Sequence, residues 1–110
     1  PQYDYDLPIG TSSAHISLHI VTRNNEVRSL IRIYNKKLYN NLLKSKDEIE
    51  KEIGLKLNWK SLEKNKSSTI SIVKKFNIKD ENTWNEAIKW QLDMAKKLYN
   101  AFHDKIKKFN

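Results

Sequence analysis

Residues 14–22 alternate cleanly between two sides. Ala14, Ile16, Leu18 and Ile20 fall on one side of an extended chain; Ser13, His15, Ser17, His19 and Val21 fall on the other. That period of two predicts a half-buried strand. Asn24-Asn25 follows, a pair that tolerates the positive φ of a tight hairpin turn. A second strand is predicted over residues 26–34. With Asn24 and Asn25 as the loop, Ile16 faces Ile33 and Leu18 faces Ile31 on the apolar side. His15–Tyr34, Ser17–Arg32, His19–Leu30 and Val21–Arg28 pair on the outer side.

The period then changes to that of a helix. Asn35 is a suitable N-cap for residues 36–53, with Leu38, Leu42, Ile49 and Ile53 on one stripe, Tyr39 and Leu43 beside it, and Gly54 placed to end it. A second hairpin is expected next. Leu57, Trp59 and Ser61 share one face of its first strand; Ile70, Ile72 and Phe76 share one face of its second, interrupted by Lys74. The connection lies around residues 63–67. Thr83-Trp84-Asn85-Glu86 matches a capping box and opens a helix to about Phe109. Its stripe is Trp84, Ile88, Gln91/Leu92, Ala95, Leu98/Tyr99, Phe102, Ile106 and Phe109, with Ala87, Trp90, Met94 and Ala101 off it. Such a helix spans ~40 Å, so its last turns are expected to outrun the sheet or reach a partner. Trp59 and Trp84, lying in their stripes, are read as core.

The expected fold is therefore an α+β two-layer sandwich in the order β-β-α-β-β-α. It has a four-stranded antiparallel sheet with both helices on one face. Residues 1–13, with Pro8, Gly10 and Thr11-Ser12-Ser13, read as an N-terminal arm, and residues 14–110 as one domain. A start at Pro1 suggests a fragment of a longer protein.

Composition narrows the chemistry. The absence of cysteine removes disulfides, Cys-zinc sites and thiol nucleophiles, and fits a cytoplasmic location. No run is long and apolar enough for a membrane span or a signal peptide. His15 and His19 lie ~13 Å apart on one strand, too far to share a metal. There is no G-x-S-x-G turn, no Walker loop among only two glycines, and no D/E-x-K triplet of the restriction-nuclease kind. The residues thus predict no metal, no cofactor and no active site.

The net charge of +8 is unevenly spread: residues 56–79 hold seven Lys against one Glu. Such a balance attracts polyanions, although a Lys-, Asn- and Ile-rich chain also arises from AT-rich coding alone. All three arginines, Arg23, Arg28 and Arg32, fall in the first hairpin amid 18 lysines. Arg28 and Arg32 share the outer face with His15, Ser17 and Tyr34. Arginine forks suit phosphate, and His or Tyr can stack on bases. The candidate nucleic-acid residues are Arg23, Arg28, Arg32, His15 and Tyr34, with Lys56, Lys60, Lys74 and Lys75 adding diffuse attraction. The same face carries Val21, Leu30 and Tyr34, an apolar group rimmed by charge, which suits a homodimer or an interdomain contact. A plain solvated surface is the third reading.

Several separated stretches resemble one prokaryotic family. They are Tyr5-Asp6-Leu7-Pro8-Ile9-Gly10, Ala14-His15-Ile16-Ser17-Leu18 and Thr22-Arg23-Asn24-Asn25-Glu26-Val27, then Lys46 to Gly54 with Leu57-Asn58-Trp59, and Trp84-Asn85-Glu86-Ala87-Ile88-Lys89-Trp90. The family is the domain of unknown function numbered four thousand two hundred and sixty-eight, and the resemblance covers nearly the whole chain. It implies no established activity. It implies a C-terminal module, often preceded by a region resembling restriction-endonuclease-like nucleases, and hence a DNA-related or defence setting. The expected function is a non-catalytic accessory domain contacting DNA or RNA through its basic face. The alternative is a protein-contact module that dimerises or docks the upstream nuclease-like domain. The resemblance also implies a more acidic second strand than Leu30 and Arg32 supply.

Overall fold

The computed structural model describes residues 2–62 and 67–109. Eight main elements follow in order: β1 (Gln2–Pro8), β2 (Ala14–Val21), β3 (Glu26–Ile33), α1 (Lys36–Leu43), α2 (Lys46–Ile53), β4 (Asn58–Leu62), β5 (Ser67–Lys75) and α3 (Trp84–Phe109). The strands form one five-stranded sheet in the order β1-β2-β3-β5-β4, and every neighbouring pair is antiparallel. The α+β class and the antiparallel sheet are as expected. The numbers of strands and helices are not.

The extra strand comes from the segment read as an arm. Residues 2–8 pair along β2, with Tyr5 opposite Leu18 and Leu7 opposite Ile16. Asp4, Tyr5, Asp6 and Leu7 alternate in the manner of an edge strand, with Tyr5 and Leu7 on the helix-covered side. The extra helix comes from a break at Lys44-Ser45, where Ser45 leaves helical geometry at φ −102°, ψ 17°. Both ends of the helical pair are capped as the sequence predicts. The Asn35 side chain accepts from the Leu38 N–H at 3.2 Å. Gly54 turns left-handed at φ 81°, a conformation that suits a residue without Cβ.

The β2–β3 register differs from the two-residue-turn expectation. Ala14 faces Ile33, Ile16 faces Ile31 and His19 faces Arg28, a slip of two residues. The cause is the turn. Thr22–Asn24 forms a 3-10 turn and Asn25 takes the left-handed conformation (φ 52°), so four residues connect the strands. A slip of two preserves which side chains share a face, so both face assignments survive.

One face carries Ile16, Leu18, Ile31, Ile33, Ile70 and Ile72, and all three helices bury residues against it: Leu38, Tyr39 and Leu42 from α1, Ile49 from α2, and Leu98, Phe102 and Ile106 from α3. Trp59 packs into this core between Tyr39 and Phe102, with ring centroids 6.3 and 6.1 Å away. The expected α3 stripe is rotated. Ala87, Gln91, Met94, Leu98, Ala101 and Phe102 are buried, whereas Trp84 (47% exposed), Ile88, Leu92 (51%) and Tyr99 face solvent. Trp84 is thus not core; its indole N–H donates to the Ile78 carbonyl at the margin. Trp90, placed off the stripe, packs on Phe76 with centroids 5.8 Å apart.

The rotation has a polar cause. The buried Gln91 amide donates to the carbonyls of His19 (3.1 Å) and Arg28 (3.0 Å), and its own backbone carbonyl accepts from Ser29 Oγ (2.8 Å). These bonds set the helix on β2 and β3 with Gln91 facing the sheet. The C-terminal turns of α3 do not outrun the core: Ile106 is buried, and Lys105 bonds Glu52 of α2 at 3.0 Å. Nor does Thr83 close a capping box. Its hydroxyl lies within donating distance of the Asn77 and Asp80 carbonyls, at 2.6 and 2.8 Å. The Lys-rich connection expected around residues 63–67 lies, through residue 66, outside the described residues.

A candidate nucleic-acid interface on the bare sheet face

The second face of the sheet packs no helix across its centre, and its side chains are ordered in rows by the register. One row runs His15, Arg32, Thr69, Lys60 across β2, β3, β5 and β4; the next runs Ser17, Leu30, Ser71, Asn58. At ~4.8 Å between strands, the first row spans about 14 Å. Leu30 stands between two serines, so the middle of this face is low. The result is a groove of about 660 Å³ lined by Arg28, Arg32, Lys46, Lys60, His19, Asn58, Thr69, Ser71 and Trp59 among others. Four of these side chains are basic and none is acidic.

The cations are not equivalent. Glu26 accepts from Arg28 through Nη2 (2.6 Å) and Nε (3.1 Å), and also pairs with Lys75 at 3.2 Å. The Arg28 hydrogen bond, with Lys75 second, holds the Glu26 carboxyl below its usual range. Arg28 therefore enters the groove already neutralised. Arg32 and Lys60 form no ion pair among the described residues. Glu50 anchors the far wall: its carboxylate accepts from the Leu57 N–H (2.7 Å) and Trp59 Nε1 (3.3 Å), tying α2 to the start of β4. The Leu57 bond is the main reason its carboxyl is also held low. That tie places Lys46 and Lys60 on the same side of the groove.

Toward β1 the face changes sign. Asp6 accepts from Ser17 Oγ at 2.7 Å and lies 3.6 Å from His15; Asp4 lies 3.9 Å from His19. Burial pushes the His19 pKa down, against the raising effect of Asp4, while Arg32 and Arg28 push it further down. His15 stacks at a tilt on Tyr34, centroids 5.4 Å apart, at the rim.

The sequence-derived candidates separate accordingly. Arg28, Arg32 and Lys60 line the groove together, and His15 and Tyr34 flank it. Arg23 stands exposed on the turn and Lys56 on the loop before β4, outside the lining. Lys75 sits at the sheet end, bonded to the Asn24 carbonyl as well as Glu26. Lys74 belongs to the opposite face, opposite Val27, with its ammonium over the Phe76 ring at 5.1 Å. The apolar group of the competing reading does not exist as surface, since Val21 and Leu30 are buried and only Tyr34 is exposed. Sequence reasoning missed Lys46 and Asn58 as groove residues. Lys46 could not be found from strand periodicity because it reaches the groove from a helix. Among the described residues no group of three or more His, Asp or Glu side chains is placed to hold a metal, and no helix is long and apolar enough to cross a membrane.

The fold and this face define a helix-backed antiparallel sheet with a basic groove on its bare side. The chain belongs to the family described as Domain of unknown function (DUF4268), whose model matches residues 1–106. No curated protein and no solved structure matches it.

Proposed function

We propose that this domain is a non-catalytic accessory module that binds DNA or RNA along its bare sheet face. Phosphates would sit between Arg32 and Lys60, and the His15–Tyr34 pair would offer a stacking surface. The observation that carries this reading is the groove itself, which gathers four basic side chains and no acid around a floor of small polar residues. Phosphate contacts from Lys and Arg supply most of nonspecific affinity, and aromatic faces add sequence-tolerant stacking. The resemblance to modules that follow nuclease-like regions adds a prokaryotic, cytoplasmic, defence-related setting to the same proposal.

The test is an anisotropy titration of the chain with a labelled single strand and a labelled duplex over a salt series. The Arg32→Ala/Lys60→Ala double variant should keep the fold and lower the salt slope by about two, near one unit per lost phosphate contact. Arg28→Ala should weaken binding less than Arg32→Ala, because Glu26 already holds Arg28. Unchanged affinity in the folded double variant removes this face as the site.

A further inference from the structure

A second surface lies at the other end of the sheet. β1 is an edge strand, and half of its backbone N–H and C=O groups point away from β2. Above this edge on the helix side, α3 overhangs with its exposed shoulder of Trp84, Ile88, Leu92 and Tyr99. Two apolar hollows lie beneath it. One, about 320 Å³, is bounded by Leu7, Pro8, Leu92 and Tyr99; the other, about 540 Å³, is bounded by Ile20, Ile78, Trp84 and Ile88. From Trp84 to Tyr99 the helix rises ~22 Å, and the seven residues of β1 extend ~23 Å.

We propose that β1 accepts an extended segment of a partner protein as a sixth strand, one whose residues alternate between apolar and basic. The alternation follows from the edge. On the helix side an added strand meets Tyr5, which is 64% exposed, and the α3 shoulder, so its side chains there are apolar. On the bare side it meets Asp4 and Asp6, whose side chains are 54% and 66% exposed, so its side chains there are Lys or Arg. A second copy's β1 does not meet this requirement. The two-fold antiparallel pairing that overlaps the two β1 strands fully, centred on Tyr5, sets Asp4 of one against Asp6 of the other, and like charges directly opposite are destabilising. Strand addition to an open edge draws affinity from backbone bonds and specificity from alternate side chains. This surface is separate from the basic groove and does not depend on nucleic-acid binding.

The experiment is an amide NMR titration of the full chain with the capped peptide Val-Lys-Val-Lys-Val-Lys-Val, with the Val-Glu counterpart and a peptide with a central proline as controls. Saturable shifts at residues 3–7 and at Ile88, Leu92 and Tyr99, with slowed exchange of β1 amides, are expected from the Val-Lys peptide alone. Leu92→Asp, at a solvent-facing position, should preserve the spectrum elsewhere and weaken binding about tenfold. Equal binding of the Val-Glu peptide, shifts confined to the bare face, unaltered binding by the proline peptide, or self-association through β1 in the absence of peptide would each overturn the proposal.

Discussion

Leu30 and Ile31 are neighbours on the central strand and both are buried, yet they leave β3 in opposite directions into different surroundings. Ile31 lies between Ile16 and Ile70 in a core closed by three helices. Leu30 lies between Ser17 and Ser71 at the floor of an open groove. The covered face is mainly apolar and binds the helices. The bare face holds Leu30 at its floor among Arg28, Arg32 and His19, leaving the charged groups at the surface. Burial alone therefore does not make two residues equivalent; what matters is whether the space left by truncation is closed or open to water.

That contrast can be broken most directly by truncating each neighbour. Both Ile31→Ala and Leu30→Ala remove three carbons, worth about 2 kcal/mol of transfer free energy at ~0.8 kcal/mol per methylene. Ile31→Ala adds a closed cavity and should cost about 3–4 kcal/mol, whereas water can fill the space left by Leu30→Ala, holding its cost near 2 kcal/mol. Urea unfolding of the two variants measures the difference, and equal costs would mean that the bare face is as closed as the covered one.

The contact between α3 and the strands is tested next. Gln91→Ala leaves the His19 and Arg28 carbonyls without their amide donor and should cost about 2–3 kcal/mol. Gln91→Glu should be no better, since its ionised carboxylate can only accept. A cost under about half a kcal/mol would show that Gln91 does not fix the helix rotation.

The smallest effect belongs to pH. The folded-state pKa of His19 lies below the ordinary imidazole value of 6.5, chiefly because burial disfavours the charged ring. Below about pH 6.5 the unfolded chain takes up a proton that the native ring resists, so stability falls with falling pH until native His19 also protonates. Above that window the contribution is fully present. His19→Gln should flatten this part of the stability–pH curve between pH 7 and 5. An unchanged curve would show that His19 does not carry this part of the acid sensitivity.

Local features were legible in the residues: the alternation of β2, β3 and β5, the Asn35 cap, the Gly54 stop and the basic outer face. The groove was legible in part. Arg28, Arg32 and Lys60 were identifiable from parity, whereas charge alone groups Lys74, which interrupts the apolar face of β5, with the other lysines. Lys46 and the Glu26–Arg28 pairing were not legible as groove features. The first depends on where α2 meets β4, and the second on side chains two apart on one strand choosing each other over solvent.

By itself, then, the sequence determined the helix or strand type of the elements from residue 14 onward, the Asn35 and Gly54 caps and the division of those strands into two faces. A period of two is a property of the extended chain, and it survives a register slip of two residues without change. Tertiary structure decided the register, the capture of residues 2–8 as an edge strand, the break at Lys44-Ser45 and the rotation of α3. Each of these turns on groups distant in the chain. β1 is a strand because β2 offers it a ladder. α3 is rotated because two strand carbonyls accept from the Gln91 amide, and satisfying buried polar groups outweighed keeping Trp84, Ile88 and Leu92 out of water.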